Sequence, residues 1–327
     1  MFEAGLVIGS RESGDNGHMN SKGSLMGNLQ GRTAIITGAG RGLGRSHALR
    51  FAQLGASVVV NDNGGGPDGA GADDSPVHEV VEEIRAAGGT AVAHIGSVTD
   101  WASGAEMVEL AVSEFGRLDV LVANAGILRD RTLANLSEAE WDSVIAVHLK
   151  GHAAPLHHAA AYWRSESKAG REVNGSVITT SSGSGLFGNP GQANYAAAKA
   201  GIAALTLVAA RELERYGVRA NCIAPAARTR LTLQTPGMGE RLDAQITEDG
   251  FDPWAPENIT PLVAWLAQAD CPVSGQVFAN RGGHIGRMQG WTEVEAFDKE
   301  GAAWTEDELD SALAGLPTSA PSYSTTI

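Results

Sequence analysis

The sequence is short of cysteine, of positive charge and of long apolar runs, and each shortage narrows what the chain can be. Only Cys222 and Cys271 are cysteines among 327 residues, with no Cys-x-x-Cys pair and no Cys/His cluster. That count argues against a disulfide scaffold and a structural zinc, and a reducing cytoplasm is the expected compartment. Lysine and arginine total 24 against 38 acidic residues, a formal net charge of −14. Such a balance argues against nucleic acid and anionic membranes as main partners. No apolar run reaches 18 residues, so no transmembrane helix is expected. His152, His157 and His158 do not share one helical face and no carboxylate accompanies them, so no metal site is expected. Trp254 and Trp265 read as core or subunit contacts, and the acidic run Glu306, Asp307, Glu308 and Asp310 as a solvated helix face.

What is present is a large core: 43% of residues are hydrophobic and 19% charged, which suits one elaborated α/β domain over residues 31–287. Residues 1–30, rich in Gly, Ser, Asn and charge, read as a disordered extension. Residues 288–316 are expected to form a C-terminal helical extension and 317–327 a flexible tail. Short apolar runs at 33–37, 58–61, 91–95, 120–123, 176–180, 219–223 and 276–279 predict seven strands. Longer segments between them, such as 43–54, 77–87, 104–115 and 193–216, predict helices. Strands apolar on both faces and separated by helices imply a parallel sheet covered on both sides. Ser137 with Glu140, and Thr305 with Glu308, have the spacing of capping boxes.

Three features carry chemistry. At the first strand-to-helix turn stands Thr37-Gly38-Ala39-Gly40-Arg41-Gly42-Leu43-Gly44, whose glycines let the backbone approach a pyrophosphate at a helix N-terminus. Asp62 ends the second strand, 18 residues beyond Gly44. A carboxylate there accepts hydrogen bonds from ribose hydroxyls and repels a 2′-phosphate, which favours NAD over NADP. Arg41 and Arg45 are the residues that would favour the phosphate instead. Third, Ser182 is followed after twelve residues by Tyr195 and after three more by Lys199. On a helix the last two share one face about 6 Å apart. An ammonium beside the phenol would lower its pKa towards neutrality, and Ser182 would donate to the same substrate oxygen, which suits alcohol oxidation or ketone reduction.

These residues together resemble the short-chain dehydrogenase/reductase family, from about Gly31 to Arg287. The glycine motif, Asn124-Ala125-Gly126, Ser182, Tyr195 and Lys199 match in order and spacing. The resemblance implies a Rossmann-like, doubly wound, seven-stranded parallel sheet of order 3-2-1-4-5-6-7, with NAD across the carboxyl ends of the strands. It also implies that Gly38, Arg41, Gly42, Leu43 and Gly44 line the pyrophosphate and ribose, Ser97 and Val98 the adenine, and Asn124, Ala125 and Gly126 the second ribose. Lys199 would bind that ribose and Tyr195 exchange the proton. His148 stands where many relatives carry the Asn of a proton relay, Ala226 where they carry Gly, and Ser97 where they carry Asp.

The flanks resemble a narrower group, the (3R)-hydroxyacyl-CoA dehydrogenases of the peroxisomal multifunctional enzyme type 2 kind. The matching stretches are Val60-Asn61-Asp62, Asn124 to Arg131, Val147 to Gly151, Gly191 to Tyr195 and Ile223 to Pro225. This resemblance implies a 3-hydroxyacyl-CoA or steroid side-chain thioester as substrate, with a free hydroxysteroid or other secondary alcohol as the alternative. It further implies a homodimer or homotetramer formed by pairing long helices across a twofold axis. Arg129, Arg131, Arg228 and Arg230, which follow strands four and six, would suit the phosphates of coenzyme A.

Overall fold

The computed structural model describes residues 28–71, 73–234, 238–301 and 303–317. Strand and helix alternate in the order β1 (Thr33–Thr37), α1 (Gly42–Gln53), β2 (Ser57–Asp62), α2 (Ser75–Ala86), β3 (Thr90–Ile95), α3 (Trp101–Phe115), β4 (Val120–Ala123), α4 (Glu138–Ile145), α5 (Gly151–Lys168), β5 (Gly175–Thr180), α6 (Gly183–Phe187), α7 (Ala193–Leu213), β6 (Val218–Pro225), α8 (Met238–Asp243), α9 (Thr260–Leu266), β7 (Val277–Arg281), β8 (His284–Met288) and α10 (Glu306–Ala312). The strands form one sheet of order β3-β2-β1-β4-β5-β6-β7-β8. Successive residues of a strand face opposite sides, so Ala34 and Ile36 join one core beneath α1, α2 and α9, and Ile35 joins the other beneath α3, α5 and α7. Removing each fully buried isoleucine from water contributes about 1.5–3 kcal/mol. Both helix layers therefore clamp the sheet and fix where its strands end.

The seven expected strands are present, and the structure adds an eighth. β8 runs antiparallel to β7, with Arg281 opposite His284 and Val277 opposite Met288. The two-residue turn between them is Gly282-Gly283, with φ of 51° at Gly282, a backbone that suits a tight hairpin. β8 is half polar and mostly exposed, so its apolar pattern is too weak to announce a strand. The expected domain boundary at Arg287 falls inside it.

Two helix starts follow their sequence signals: Ser137 opens α4 and Thr305 opens α10, each with a reciprocal capping box. Between α4 and α5 lies a π-helical turn, Ala146–Lys150, which the sequence did not signal. Although no unbroken apolar run reaches 18 residues, the helix over Ala193–Tyr216 is long and apolar enough to cross a membrane by length and composition alone, with an 18-residue window of mean hydropathy 1.3. Here one side of it packs on β5 and β6. The terminal segments 1–27 and 318–327, on which the readings of a disordered extension and most of a flexible tail fall, lie outside the described residues.

Candidate active site

A cleft of about 420 Å³ opens at the carboxyl ends of the strands. Its floor is the turn from β1 to α1. Gly44 approaches that turn so closely that a Cβ would lie 2.1 Å from the Gly38 carbonyl oxygen, so the packing demands glycine. This draws up the N-terminus of α1, which has no side-chain cap and no acidic residue in its first turn. The positive end of the helix is thus left for an anion such as a pyrophosphate. Gly38, Arg41, Gly42 and Leu43 line the cleft, whereas Gly44 acts from behind.

The far wall is built by β4. Thr37 Oγ1 accepts the N–H groups of Asn124 at 2.9 Å and Ala125 at 3.2 Å, and the Asn124 amide donates to the Thr37 carbonyl at 3.1 Å. Asn124, Ala125 and Gly126 line the cleft as expected, but the Asn124 side chain is committed to holding the glycine turn rather than to a ribose. Thr37 and Asn61 are structural members that sequence reasoning left out. Asn61, fully buried, donates to the Gly96 carbonyl at 3.0 Å and so sets the turn carrying Ser97 and Val98, which also line the cleft.

Asp62 sits at the end of β2 and accepts N–H groups from Gly40 at 3.0 Å and Gly64 at 2.9 Å. It therefore staples the glycine turn to the loop of residues 63–74. That loop crosses the cleft: its Pro67 carbonyl accepts the Leu128 N–H at 3.1 Å, and Gly69 lies against Ile127. Three arginines hold it from three sides. Arg41 reaches Asp73 at 3.2 Å, Arg129 reaches Asp68 at 4.0 Å, and Arg230 donates to the Gly65 carbonyl at 2.9 Å.

These contacts occupy the four arginines expected at the rim. Arg129 and Arg230 serve the loop, Arg131 pairs with Glu140 at 3.2 Å, and Arg228 pairs with Asp243 and, at 3.1 Å, with Asp252. Each of the four has a partner within the chain because the loops that carry them are lined with acidic residues and carbonyls. Arg45 is likewise paired, with Glu83. Trp254, read from sequence as a core or subunit residue, lines the cleft mouth.

The reacting groups stand at the inner end. Tyr195 and Lys199 lie one turn apart on α7, with Lys199 Nζ 5.5 Å from the centre of the phenol ring. Lys199 donates to the Thr180 carbonyl at 2.7 Å. Burial removes water from both groups and disfavours their charged forms, lowering Lys199 to about 7 and raising Tyr195 to about 12. The lowering of the phenol expected from the ammonium beside it is not seen in this structure, where the lysine is directed at Thr180 and is itself desolvated. The Ser182 hydroxyl hydrogen-bonds Tyr195 and opposes the rise, while the nearby Asp130 carboxylate adds to it. Ser182 also accepts the Ser184 N–H at 3.2 Å as the N-cap of α6, which fixes its rotamer.

His148 enters from the π-helical turn. Its Nε2 donates to the Ile127 carbonyl at 2.7 Å and its ring meets Tyr195 edge-on at 5.0 Å. Burial chiefly, with the charge of Lys199 second, holds its pKa well below the usual value, so the ring is neutral. Gly126 is what lets it in, since a Cβ there would lie 2.5 Å from His148 Cε1. The His148 carbonyl accepts the Gly151 N–H. His152 is buried one turn further on, while His157 and His158 lie outside against Trp101.

A glycine turn at a helix N-terminus, a carboxylate at the end of the second strand and a neighbouring Ser, Tyr and Lys together define an oxidoreductase that uses a nicotinamide dinucleotide. The bound nicotinamide would exchange a hydride with the carbinol carbon. In such chemistry Tyr195 would give or take the hydroxyl proton, Ser182 would hold the oxygen and Lys199 would stand beside them. Comparison with known proteins agrees. A family profile described as short chain dehydrogenase matches residues 32–235, and the chain belongs to that family. It is 45% identical over 292 residues to the hydroxyacyl-CoA dehydrogenase ChsB1 of Mycobacterium tuberculosis, covering 87% of this chain and 88% of that protein. It is 41% identical over 261 residues to the mouse (Mus musculus) peroxisomal multifunctional enzyme type 2, covering 80% of this chain but 33% of that longer protein. The crystal structure of a short chain dehydrogenase from Mycobacterium avium shares 53% identity with a TM-score of 0.78, over 88% of this chain and 95% of the other.

Proposed function

We propose that the chain is an NAD-dependent dehydrogenase of 3-hydroxyacyl-CoA thioesters, fatty acyl or steroid side-chain. The observation that carries the reading is the likeness, over most of both chains, to a hydroxyacyl-CoA dehydrogenase, joined to a cleft lined by Tyr195 and Lys199 with Ser182 next to the tyrosine. NAD is favoured over NADP because Asp62 presents a carboxylate at the ribose position. Arg41 and Arg45, the residues that could hold a 2′-phosphate, are instead paired with Asp73 and Glu83. A 3-hydroxyacyl-CoA panel assayed by NADH absorbance beside matched free secondary alcohols tests the substrate, and turnover confined to the free alcohols would reject the thioester reading. Asp62→Ala should narrow the preference for NAD over NADP, and a wild-type protein that prefers NADP would reject the cofactor assignment.

A free secondary-alcohol or hydroxysteroid dehydrogenase is the second reading. It is favoured by one observation, that all four arginines expected to bind coenzyme A phosphates are engaged within the chain. For quaternary structure we propose a homodimer or homotetramer. On α7 one side is buried in the fold while Val208 remains 48% exposed, as a helix paired with its copy would leave it. Light scattering of the purified protein checks this.

A further inference from the structure

His94, near the carboxyl end of β3, is a buried titratable group that the proton transfer does not use. Ala91 of the same strand joins the core beneath α2, so His94, three residues on, faces the other side of the sheet, towards α3. Asn61 lies beside it on β2, its partner in the sheet register. The Asn61 Nδ2 is 3.0 Å from His94 Nδ1, 3.4 Å from the His94 carbonyl oxygen and 3.0 Å from the Gly96 carbonyl oxygen. Carbonyls only accept, so the atom facing them is the amide NH2, and His94 Nδ1 must accept from it as well. That fixes the tautomer: the ring proton sits on Nε2, 3.6 Å from Glu106 Oε2. Asn61 Oδ1 is left buried with no hydrogen-bond partner among the described residues. The turn after β3 rests directly on the ring, because a Cβ at Gly96 would lie 2.7 Å from His94 Cε1. The next residues, Ser97 and Val98, line the cleft.

We infer that His94 is a positioning residue for the dinucleotide: while neutral it lets Asn61 hold the turn that carries Ser97 and Val98, and on taking up a proton it releases that turn. The inference rests on the reading of the cleft as a dinucleotide site. A second proton on the ring goes to Nδ1, where it meets the hydrogens of Asn61 Nδ2. The amide answers by turning over, which brings its unpaired Oδ1 to the new N–H. The same half-turn sets Oδ1 against the Gly96 carbonyl, acceptor facing acceptor, and the bond to Gly96 is lost. Asn61 can therefore serve the neutral ring and the turn together, or the charged ring alone. Around His94, Glu106 of α3 is the one carboxylate acting on it, while Asn61 and Ser103 are neutral. Asp62, next along β2, is turned to Gly40 and Gly64, Asp100 caps α3 at the Ala102 N–H, and α2 lies across the sheet. Burial is the larger effect and holds the pKa of His94 below its ordinary value, and Glu106 opposes it. The turn is thus set at neutral pH and comes loose in acid.

The test is the dissociation constant of NADH and of NADPH, titrated by calorimetry between about pH 5 and pH 8 in two buffers of different ionisation enthalpy. For the dinucleotide that binds more tightly, the constant should be level above about pH 6.5. It should rise as the pH falls through the His94 pKa, by about tenfold per pH unit at most for a single proton. On that limb binding should expel a proton, seen as a heat that differs between the buffers, because the bound form requires the neutral ring. His94→Leu cannot titrate, so its constant should stay level over the whole range and its proton release should vanish. Glu106→Gln, an exposed change outside the cleft, removes the charge that favours the imidazolium and should move the limb to lower pH. A level constant in the wild type, or the wild-type limb persisting in His94→Leu, would overturn the inference and leave the dehydrogenase reading standing. Should His94→Leu fail to fold, an unmoved limb in Glu106→Gln overturns it equally. A protein that binds neither dinucleotide at pH 8 would remove the reading and the inference together.

Discussion

The proposed reaction has Tyr195 carry the proton, and at the scale of single residues its replacement is the sharpest test. Tyr195→Phe removes one hydroxyl from a ring held by His148 and α7, so dinucleotide binding and folding should persist while turnover drops by about 10² or more. Near-normal turnover would show that another group moves the proton. Tyr195, Lys199, Ser182, Asp62 and the glycines were all legible in the sequence, because each belongs to a short motif whose spacing is set by one helix or one turn. Thr37, Asn61 and Arg230 were not. Their roles depend on partners far along the chain, from the Gly96 carbonyl 35 residues beyond Asn61 to the Gly65 carbonyl 165 residues before Arg230, and no local spacing announces such a pairing. The protonation of Tyr195 was misjudged for the same reason. Helical spacing places Lys199 beside the ring but says nothing of the Thr180 carbonyl that takes its proton donor.

Among the elements, the loop of residues 63–74 has the most to say about binding. Its Gly-rich sequence reads as a solvated turn, yet it is tied across the cleft by backbone bonds and three arginines. Arg230→Ala would delete a half-buried, charge-assisted hydrogen bond to Gly65, worth about 1.5–3 kcal/mol. If cofactor binding requires the loop in place, the dinucleotide dissociation constant should rise about tenfold or more, measurable by quenching of protein fluorescence. An unchanged constant would mean that the loop closes without Arg230. The helices and parallel strands were legible from apolar period and caps. β8 and the π-helical turn were not, since the one is a polar edge strand defined by its Gly-Gly turn and the other is one residue of extra backbone inside an otherwise helical pattern.

For the whole molecule, the buried histidines set the response to acid. Burial lowers His47 and His152 to about 3 each, and His148 also lies well below its usual value. Unfolded, these rings take up protons near pH 6.5; folded, they do not. Stability is therefore fully present above about pH 6.5 and falls as the pH drops towards 3, by about 1.4 kcal/mol per pH unit for each histidine. His47 is not among the residues lining the cleft, and its Nδ1 lies 2.8 Å from Thr260 Oγ1 with its Nε2 buried and unpaired. His47→Met should flatten the decline between pH 6.5 and 5, measured by denaturant unfolding at several pH values. A parallel decline in both proteins would assign the acid sensitivity to the other groups.

The loop over the cleft also dictates a sequence of events. Its Pro67 and Gly69 rest on Leu128 and Ile127, and the next residues, Arg129 to Arg131, are sewn to the segment bearing Tyr195. Shutting the loop and setting the phenol are thus one movement, so a dinucleotide must arrive before its alcohol partner and depart after the ketone. Product-inhibition patterns should show a compulsory order, with reduced dinucleotide competing against oxidised dinucleotide alone. Where escape of the dinucleotide from beneath the loop limits each cycle, added glycerol should slow the steady state in proportion to viscosity, and an unchanged rate would place the slow step elsewhere.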